Sequence, residues 1–273
     1  MARLRRLDAE LVRRGLARSR QHADELVTAG RVSVAGSTAG KSATQVDPAI
    51  AIVVTVDDDD PGYASRGGHK LAGALDAFAP GAFGPGGLVV AGRRCLDAGA
   101  STGGFTDVLL RRGAAQVIAV DVGYGQLVWA LQQDPRVVVR DRQNVRDLTA
   151  DLLPYRPDLV VGDLSFISLR LVLAPLLGCA ADGADLVLMV KPQFEVGRER
   201  LGSGGVVRDP ALRAGAVAGV AHAALQLGLG VRGVVASPLP GPSGNVEYFL
   251  WLNAEAPQLD ADRLASAVAE GPR

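Results

Sequence analysis

The chain has 273 residues, 48% hydrophobic and 21% charged, with 29 Lys/Arg against 29 Asp/Glu. That is the composition of an ordinary soluble globular protein, long enough for one or two domains. Two cysteines, Cys95 and Cys179, in separate apolar segments argue against a disulfide framework or a zinc site and fit a reducing compartment. The basic N-terminus has no apolar stretch behind it, as a secretory signal would. No apolar run approaches the roughly 20 residues of a membrane helix. A cytoplasmic protein is expected.

The zero net charge hides an asymmetry. Residues 1–41 hold nine Lys/Arg against four Asp/Glu, and seven arginines precede Gln21. Leu7, Leu11 and Val12 have helical spacing, with Gly15 as the stop. Ser19 reads as the N-cap of a second helix through Ala29, ended by Gly30. The stretch RVSVAG alternates as a half-buried strand and turn should, and QVDPAIAIVVTV adds strand material. Then DDDDPGYASRGGHK, including Asp57–Asp60, has no periodicity and reads as a joint. A small α+β domain over 1–60 and a linker over 61–67 are expected, ahead of a larger domain over 68–273.

The larger segment alternates strands and helices. RRCLDAG, QVIAVD, RVVVRD, DLVVGD and DLVLMV are strands; FTDVLLRRG, QLVWALQQ, a Leu-rich stretch and residues 209–228 are helices. VRGVVAS and NVEYFLWL form a closing pair, and a short helix follows Asn253. Continuous apolar strands separated by helices indicate an α/β fold, a parallel sheet covered on both faces.

The first of these strands runs into DAGASTGGFTDVLL. An acid, three close glycines (Gly99, Gly103, Gly104) and an immediate helix suit a ligand at the carboxyl ends of the strands. The spacing is neither G-x-G-x-x-G nor a phosphate-gripping loop ending in G-K-[ST]. Asp121, ending the second strand, is placed to hold a ribose diol. Tight packing by the glycines and helix capping by Asp121 would be the plain alternative. The combination favours a nucleoside-type ligand.

Asp163 ends the fourth strand and Lys191 the fifth, while Glu247 opens the last and Lys70 precedes the first. A lysine closing a buried strand can simply meet solvent. Two lysines and two carboxylates converging on one sheet edge make a site in which a lysine can take or polarise a proton.

The segments SRGGHKL, DAGASTGGFT, GDLSFIS, KPQFE, GGVVRD and PGPSGNVE resemble the TlyA family of ribosomal RNA 2'-O-methyltransferases over nearly the whole chain. The resemblance implies a Rossmann-like, doubly wound, mostly parallel seven-stranded sheet of the class I methyltransferase type. It also implies S-adenosylmethionine as cofactor and an N-terminal RNA-binding module like that of a small-subunit ribosomal protein. The family's tetrad falls on Lys70, Asp163, Lys191 and Glu247. In that reading Lys191 faces the ribose hydroxyl, Asp163 and Glu247 orient it, and Lys70 completes the charges and holds a phosphate. The cofactor set is Asp97, Gly99, Ser101, Thr102, Gly103, Gly104, Phe105, Asp121, Asp141, Asn144 and Asp163, with no metal. The substrate implied is cytidine in 16S and 23S ribosomal RNA within ribosomal subunits, with no membrane and no obligate protein partner. DRQNVR at 141–146 departs from the family at its first and third residues, and PGYAS lacks a tryptophan seen in some relatives.

Arginine suits phosphate through its planar fork. Arg3, Arg5, Arg6, Arg18, Arg20, Lys41, Arg66 and Lys70 are the expected RNA contacts, although a solvated basic face is the common alternative for a charge run. Few aromatics point to phosphate and shape contacts rather than stacking. His22 and His222 read as surface residues, and His69 as a neighbour of the site or a solvated residue. By itself Phe105 reads as packing the helix start; Trp129 and Trp251 read as structural. A small-molecule methyltransferase or oxidoreductase leaves the basic module and the second lysine without use. A membrane-lytic protein, a label given to relatives, leaves the methyltransferase motifs without use.

Overall fold

Leu7 and Leu11, one helical turn apart, are fully buried in the computed structural model and seat α1 (Leu7–Arg13) against α2 (Arg20–Thr28). The structure describes residues 4–17, 20–55 and 61–272. Ser19, expected as an N-cap, and the acidic run Asp57–Asp60 lie outside them. The chain divides into two units, Met1–Arg66 and Gly67–Arg273. In the first, β1 (Arg5–Arg6) pairs with β4 (Gln45–Val46), and β2 (Val32–Val34) lies between β3 (Ser37–Thr38) and β5 (Ile52–Val54). Leu7, Leu11, Ala23, Leu26, Val32 and Val46 fill its core.

The second unit opens with α3 (Gly67–Phe78) and α4 (Pro80–Phe83). Its strands are β6 (Arg94–Ala98), β7 (Gln116–Val120), β8 (Val137–Arg140), β9 (Leu159–Gly162), β10 (Asp185–Val190), β11 (Gly230–Ala236) and β12 (Tyr248–Asn253). They form one seven-stranded sheet in the order β11-β12-β10-β9-β6-β7-β8. The five strands from β10 to β8 are parallel, and β12 runs antiparallel between β10 and β11. Crossovers include α5 (Gly104–Arg111), α6 (Trp129–Gln132), α7 (Leu173–Cys179) and α8 (Pro210–Gln226), and α9 (Ala261–Glu270) ends the chain. Every residue of β9, β10 and β12 is buried, as strands covered on both faces must be.

The helix expected over 126–133 shrinks to α6, and Trp129, expected to be structural, is 74% exposed. Leu127 and Leu131 explain both. They pack beneath Gly103 and are buried, which turns Trp129 to the opposite face. Trp251 is buried as expected, against Phe78 and Phe83.

Asp185 anchors the edge of the sheet opposite the glycine turn. Its Oδ1 accepts from Trp251 Nε1 at 2.7 Å and Asn253 Nδ2 at 3.0 Å, and its Oδ2 lies 2.8 Å from Arg93 Nη1. Removing one partner of a buried charge pair strands the rest. Asp185→Ala is expected to destabilise the protein by about 3 kcal/mol, read as a lower urea midpoint with an unchanged slope.

Candidate active site

The strand order sets out the polar residues before any side chain is considered. Along the edge where the parallel strands end, Glu247 precedes β12, Lys191 follows β10, Asp163 follows β9, Gly99 follows β6, Asp121 follows β7 and Asp141 follows β8. β12 brings its first residue to this edge because it is antiparallel; Val190 pairs with Tyr248, so Lys191 and Glu247 are the next residues on neighbouring strands. The chain leaves β6 toward β7 and returns to its other side as β9. A crevice forms at such a reversal, and ligands of open sheets bind there. Gly99 and Asp163 stand on its two sides.

The four tetrad residues form two ion pairs. Lys70 Nζ lies 2.5 Å from Glu247 Oε2, with both side chains buried. Lys191 Nζ lies 2.6 Å from Asp163 Oδ1 and donates to Ser165 Oγ at 2.8 Å. This corrects the expected division of labour: Asp163 and Ser165 hold Lys191, and Glu247 holds Lys70. A Cβ on Gly241 would stand 2.7 Å from Glu247 Oε1, so glycine leaves room for that carboxylate. Lys70, expected also among the RNA contacts, is 6% exposed and committed to Glu247.

The glycine turn is a tight backbone cradle. Gly99 has φ +87 and Gly103 φ +100, conformations that favour glycine. A Cβ on Gly99 would meet the Asp163 carbonyl at 2.6 Å, and one on Gly103 would run into the Leu131 methyl. Asp121 ties the turn to the next loop, accepting from the amides of Ser101 at 2.8 Å and Gly123 at 2.7 Å. Asp141 Oδ2 accepts from the Gly125 amide, and Asn144 Oδ1 accepts from the Arg146 amide, capping a short turn. Thr102 is half-buried and Ser101 exposed; Gly104 begins α5. Phe105, carried into the cofactor set by its motif, is a core residue packed against Phe249.

Asp97 is fully buried. Its Oδ2 accepts from Thr106 Oγ1 at 2.7 Å, while Oδ1 has no hydrogen-bond partner among the described residues. Burial pushes its carboxyl up to about 7, against the opposing Thr106 bond and helped by the charges of Asp163 and Asp121. An orphaned buried carboxylate oxygen beside a cradle of glycines fits a ligand that brings a positively charged donor. Among the described residues no cluster of His, Cys, Asp or Glu could hold a metal ion.

Three residues escaped the sequence reading. Ser165, two positions after Asp163, and Thr106, on the first turn of α5, could have been found by asking what pairs with each charged residue. Glu195 sits within the quoted KPQFE segment and is buried, accepting from Ser168 Oγ and the Leu169 amide. No period marks such a loop contact.

In the first unit, Arg3 and Arg18 lie outside the described residues. Arg5, Arg6, Arg20 and Lys41 are exposed, and Arg66 is half-buried. Arg6 and Arg20 share the buried Asp8 at 2.9 and 3.0 Å; Arg13 and Arg14 share the buried Glu10 at 2.5 and 2.7 Å. The Arg6 guanidinium, with Arg20, holds the Asp8 carboxyl down at about 2, and Arg13 with Arg14 does the same for Glu10. His22 is half-buried rather than at the surface, His69 is half-buried, and His222 is exposed. No helix of the described residues is long and apolar enough to cross a membrane.

The sequence profile of FtsJ-like methyltransferases matches residues 63–254, and that of S4 domains matches residues 5–49. The chain is 59% identical to the 16S/23S rRNA (cytidine-2'-O)-methyltransferase TlyA of Mycobacterium tuberculosis over the full length of both. It is 35% identical to Hemolysin A of Brachyspira hyodysenteriae, covering 89% of this chain and 98% of that one. A solved structure of a hemolysin-named protein from Streptococcus thermophilus superposes with a TM-score of 0.76 at 36% identity, over 99% of this chain and 96% of the other.

Asp97 yields a pH test. Its folded value of about 7 lies above the ordinary 3.8, so between these values the folded chain holds a proton that the unfolded chain has released. Stability from this group therefore falls as pH rises from about 4 to about 7 and is level above. The cost at neutral pH and above is on the order of 4 kcal/mol. Asp97→Asn is expected to raise the urea midpoint at about pH 8 and to match the parent near pH 4.

Proposed function

The chain belongs to the TlyA branch of the FtsJ-like methyltransferases, and from that membership we propose that it methylates the ribose 2'-hydroxyl of cytidine in 16S and 23S ribosomal RNA, using S-adenosylmethionine. The N-terminal segment 1–60, which contains the S4-type residues 5–49, is the RNA-binding domain; the linker expected over 61–67 stops at Arg66, since Gly67 begins α3, and the remainder is the catalytic domain. The observation that carries the reading is the pair of lysine–carboxylate contacts beside the glycine turn, Lys191 with Asp163 and Lys70 with Glu247.

The residues present suit the cofactor. Asp97, with its orphaned oxygen, would accept the amino group; Gly99, Ser101, Thr102, Gly103 and Gly104 would admit its chain close to the backbone; Asp121 would take the ribose hydroxyls; Asp141 and Asn144 would border the base. When bound, S-adenosylmethionine supplies an electrophilic methyl group. Lys191 does the protein's part of the chemistry. Once its ammonium has released a proton to water, it would take the hydroxyl proton as the methyl group is transferred, and Asp163 would stabilise the ammonium re-formed. Ser165 holds the nitrogen from a second direction. Lys70 and Glu247, neutral as a pair, supply a fixed charge pattern beside the reacting oxygen. Much of the acceleration comes from holding the two reactants in line.

Lys191→Ala is expected to lower single-turnover methyl transfer at least about 1,000-fold while leaving the S-adenosylmethionine Kd within about two-fold of the parent's. Asp121→Ala is expected to reverse the pattern, weakening cofactor binding about ten-fold or more with RNA affinity unchanged. Titration calorimetry and ribose-methylation mapping of ribosomal RNA read both. A folded Lys191→Ala chain that methylates at the parental rate overturns the assignment.

Removing residues 1–60 takes seven arginines of the first twenty residues with it. RNA affinity is expected to fall while cofactor binding persists. The salt dependence is expected to weaken by less than one unit per arginine lost, because four of the seven already answer Asp8 and Glu10. Binding across a salt series checks this; an unchanged slope overturns the RNA role of the module.

A further inference from the structure

We propose that Glu195 is a positioning residue for methyl transfer, acting through the Lys191–Asp163–Ser165 contact. The proposal rests on the reading of Lys191 above. Lys191 and its two partners stand on different loops, one after β10 and one after β9. The strand pairing brings Asp163 to Lys191, but the Ser165 contact exists only while the loops keep a fixed register. Lys191 Nζ reaches one oxygen at 2.6 Å and another at 2.8 Å, and a small slip of either loop ends the second.

Glu195 is the clamp between the loops. Its carboxylate accepts from Ser168 Oγ at 2.6 Å, the Leu169 amide at 2.7 Å and Arg170 Nε at 3.2 Å. Its carbonyl accepts from Arg170 Nη2 at 2.8 Å. All of these donors lie on the Asp163 loop. On its own side Glu195 is bound to Lys191 through one turn of 3₁₀ helix (Pro192–Phe194), in which the Phe194 amide donates to the Lys191 carbonyl and the Glu195 amide to the Pro192 carbonyl. The clamp is thus four residues from Lys191 and begins five residues after Asp163.

Two further facts argue that the clamp serves geometry. The Glu195 side chain is 1% exposed, and burying a carboxylate is costly unless its bonds are specific. A loop needing only to be covered would take an apolar residue. Between Ser165 and Ser168 the backbone of Phe166 has φ +63, a left-handed conformation that is costly for a bulky residue and persists only where the surroundings impose it. Asp163, whose amide is bonded to the Ala98 carbonyl, anchors one side of it; Glu195 anchors the other. Without the clamp Phe166 relaxes and Ser165 leaves Lys191, which then keeps Asp163 as its one remaining partner in this contact and loses its fixed direction.

The test compares Glu195→Ala, Glu195→Gln and the double variant Ser168→Ala, Arg170→Ala with the parent, using ribosomal RNA and S-adenosylmethionine. Expected for Glu195→Ala is a kcat about 100-fold lower, with KM for RNA and Kd for the cofactor within about two-fold of the parent's. Glu195→Gln keeps an acceptor for the Leu169 amide and is expected to recover at least about ten-fold of the loss. Parental kcat in folded Glu195→Ala overturns the proposal, as does a loss confined to KM or cofactor Kd. Should Glu195→Ala fail to fold, the double variant decides from the other loop: a lower kcat at unchanged Kd supports the clamp, and parental kcat overturns it. The parent is assayed in the same series. Absence of transfer by the parent refutes the enzymatic reading, whereas equal transfer by parent and variant refutes only the role of Glu195.

Discussion

A lysine ammonium cannot stay charged in a protein interior without a partner, and the edge of this sheet where the parallel strands end contains two. Lys70 is 6% exposed and Lys191 9%. Each is tolerable there because a carboxylate lies within ion-pair distance, Glu247 for one and Asp163 for the other. The rest of the catalytic unit can be read as what that requirement demands. β9 and β10 must be neighbours for Asp163 to meet Lys191, and β12 must be antiparallel for Glu247 to reach the same edge. The pairs are therefore a consequence of topology, and any slip of register would leave an uncompensated charge buried.

Much of this was legible in the sequence, for definite reasons. Buried parallel strands leave unbroken apolar runs, so DLVVGD and DLVLMV announced themselves. The glycine turn was visible because a backbone that must enter left-handed conformations leaves glycines behind. What stayed hidden was pairing. Nothing in the spacing says that Lys70 meets a residue 177 positions away rather than Lys191's neighbours. Trp129 misled for a related reason. In a helix of four residues the face is set by Leu127 and Leu131 packing under Gly103, and hydrophobicity alone does not reveal which side wins. Glu195 stood in the quoted KPQFE segment without an assigned partner, since a carboxylate that accepts from a loop obeys no period.

The arginine-rich segment shows how composition can overstate a surface. Read as a list, it is a block of cations. In the fold, the buried Asp8 and Glu10 each gather two guanidiniums, so the segment is partly a scaffold of internal pairs. The guanidiniums of Arg6, Arg13 and Arg20 remain half exposed, which presents fixed forks instead of mobile charges. A fork already held in place loses less freedom when it meets a phosphate.

The antiparallel strand β12 also sets a time order on synthesis. It occupies an interior place in the sheet, between β10 and β11, yet it comes last of all the strands in the chain. A nascent polypeptide that has emerged only as far as β11 holds the glycine turn, Asp121, Asp163 and Lys191, but β10 still presents an open edge and Lys70 has no carboxylate. Insertion of one strand then closes the sheet and neutralises the ammonium together. Closure of the sheet and the Lys70 ion pair therefore both wait on residues 247–253.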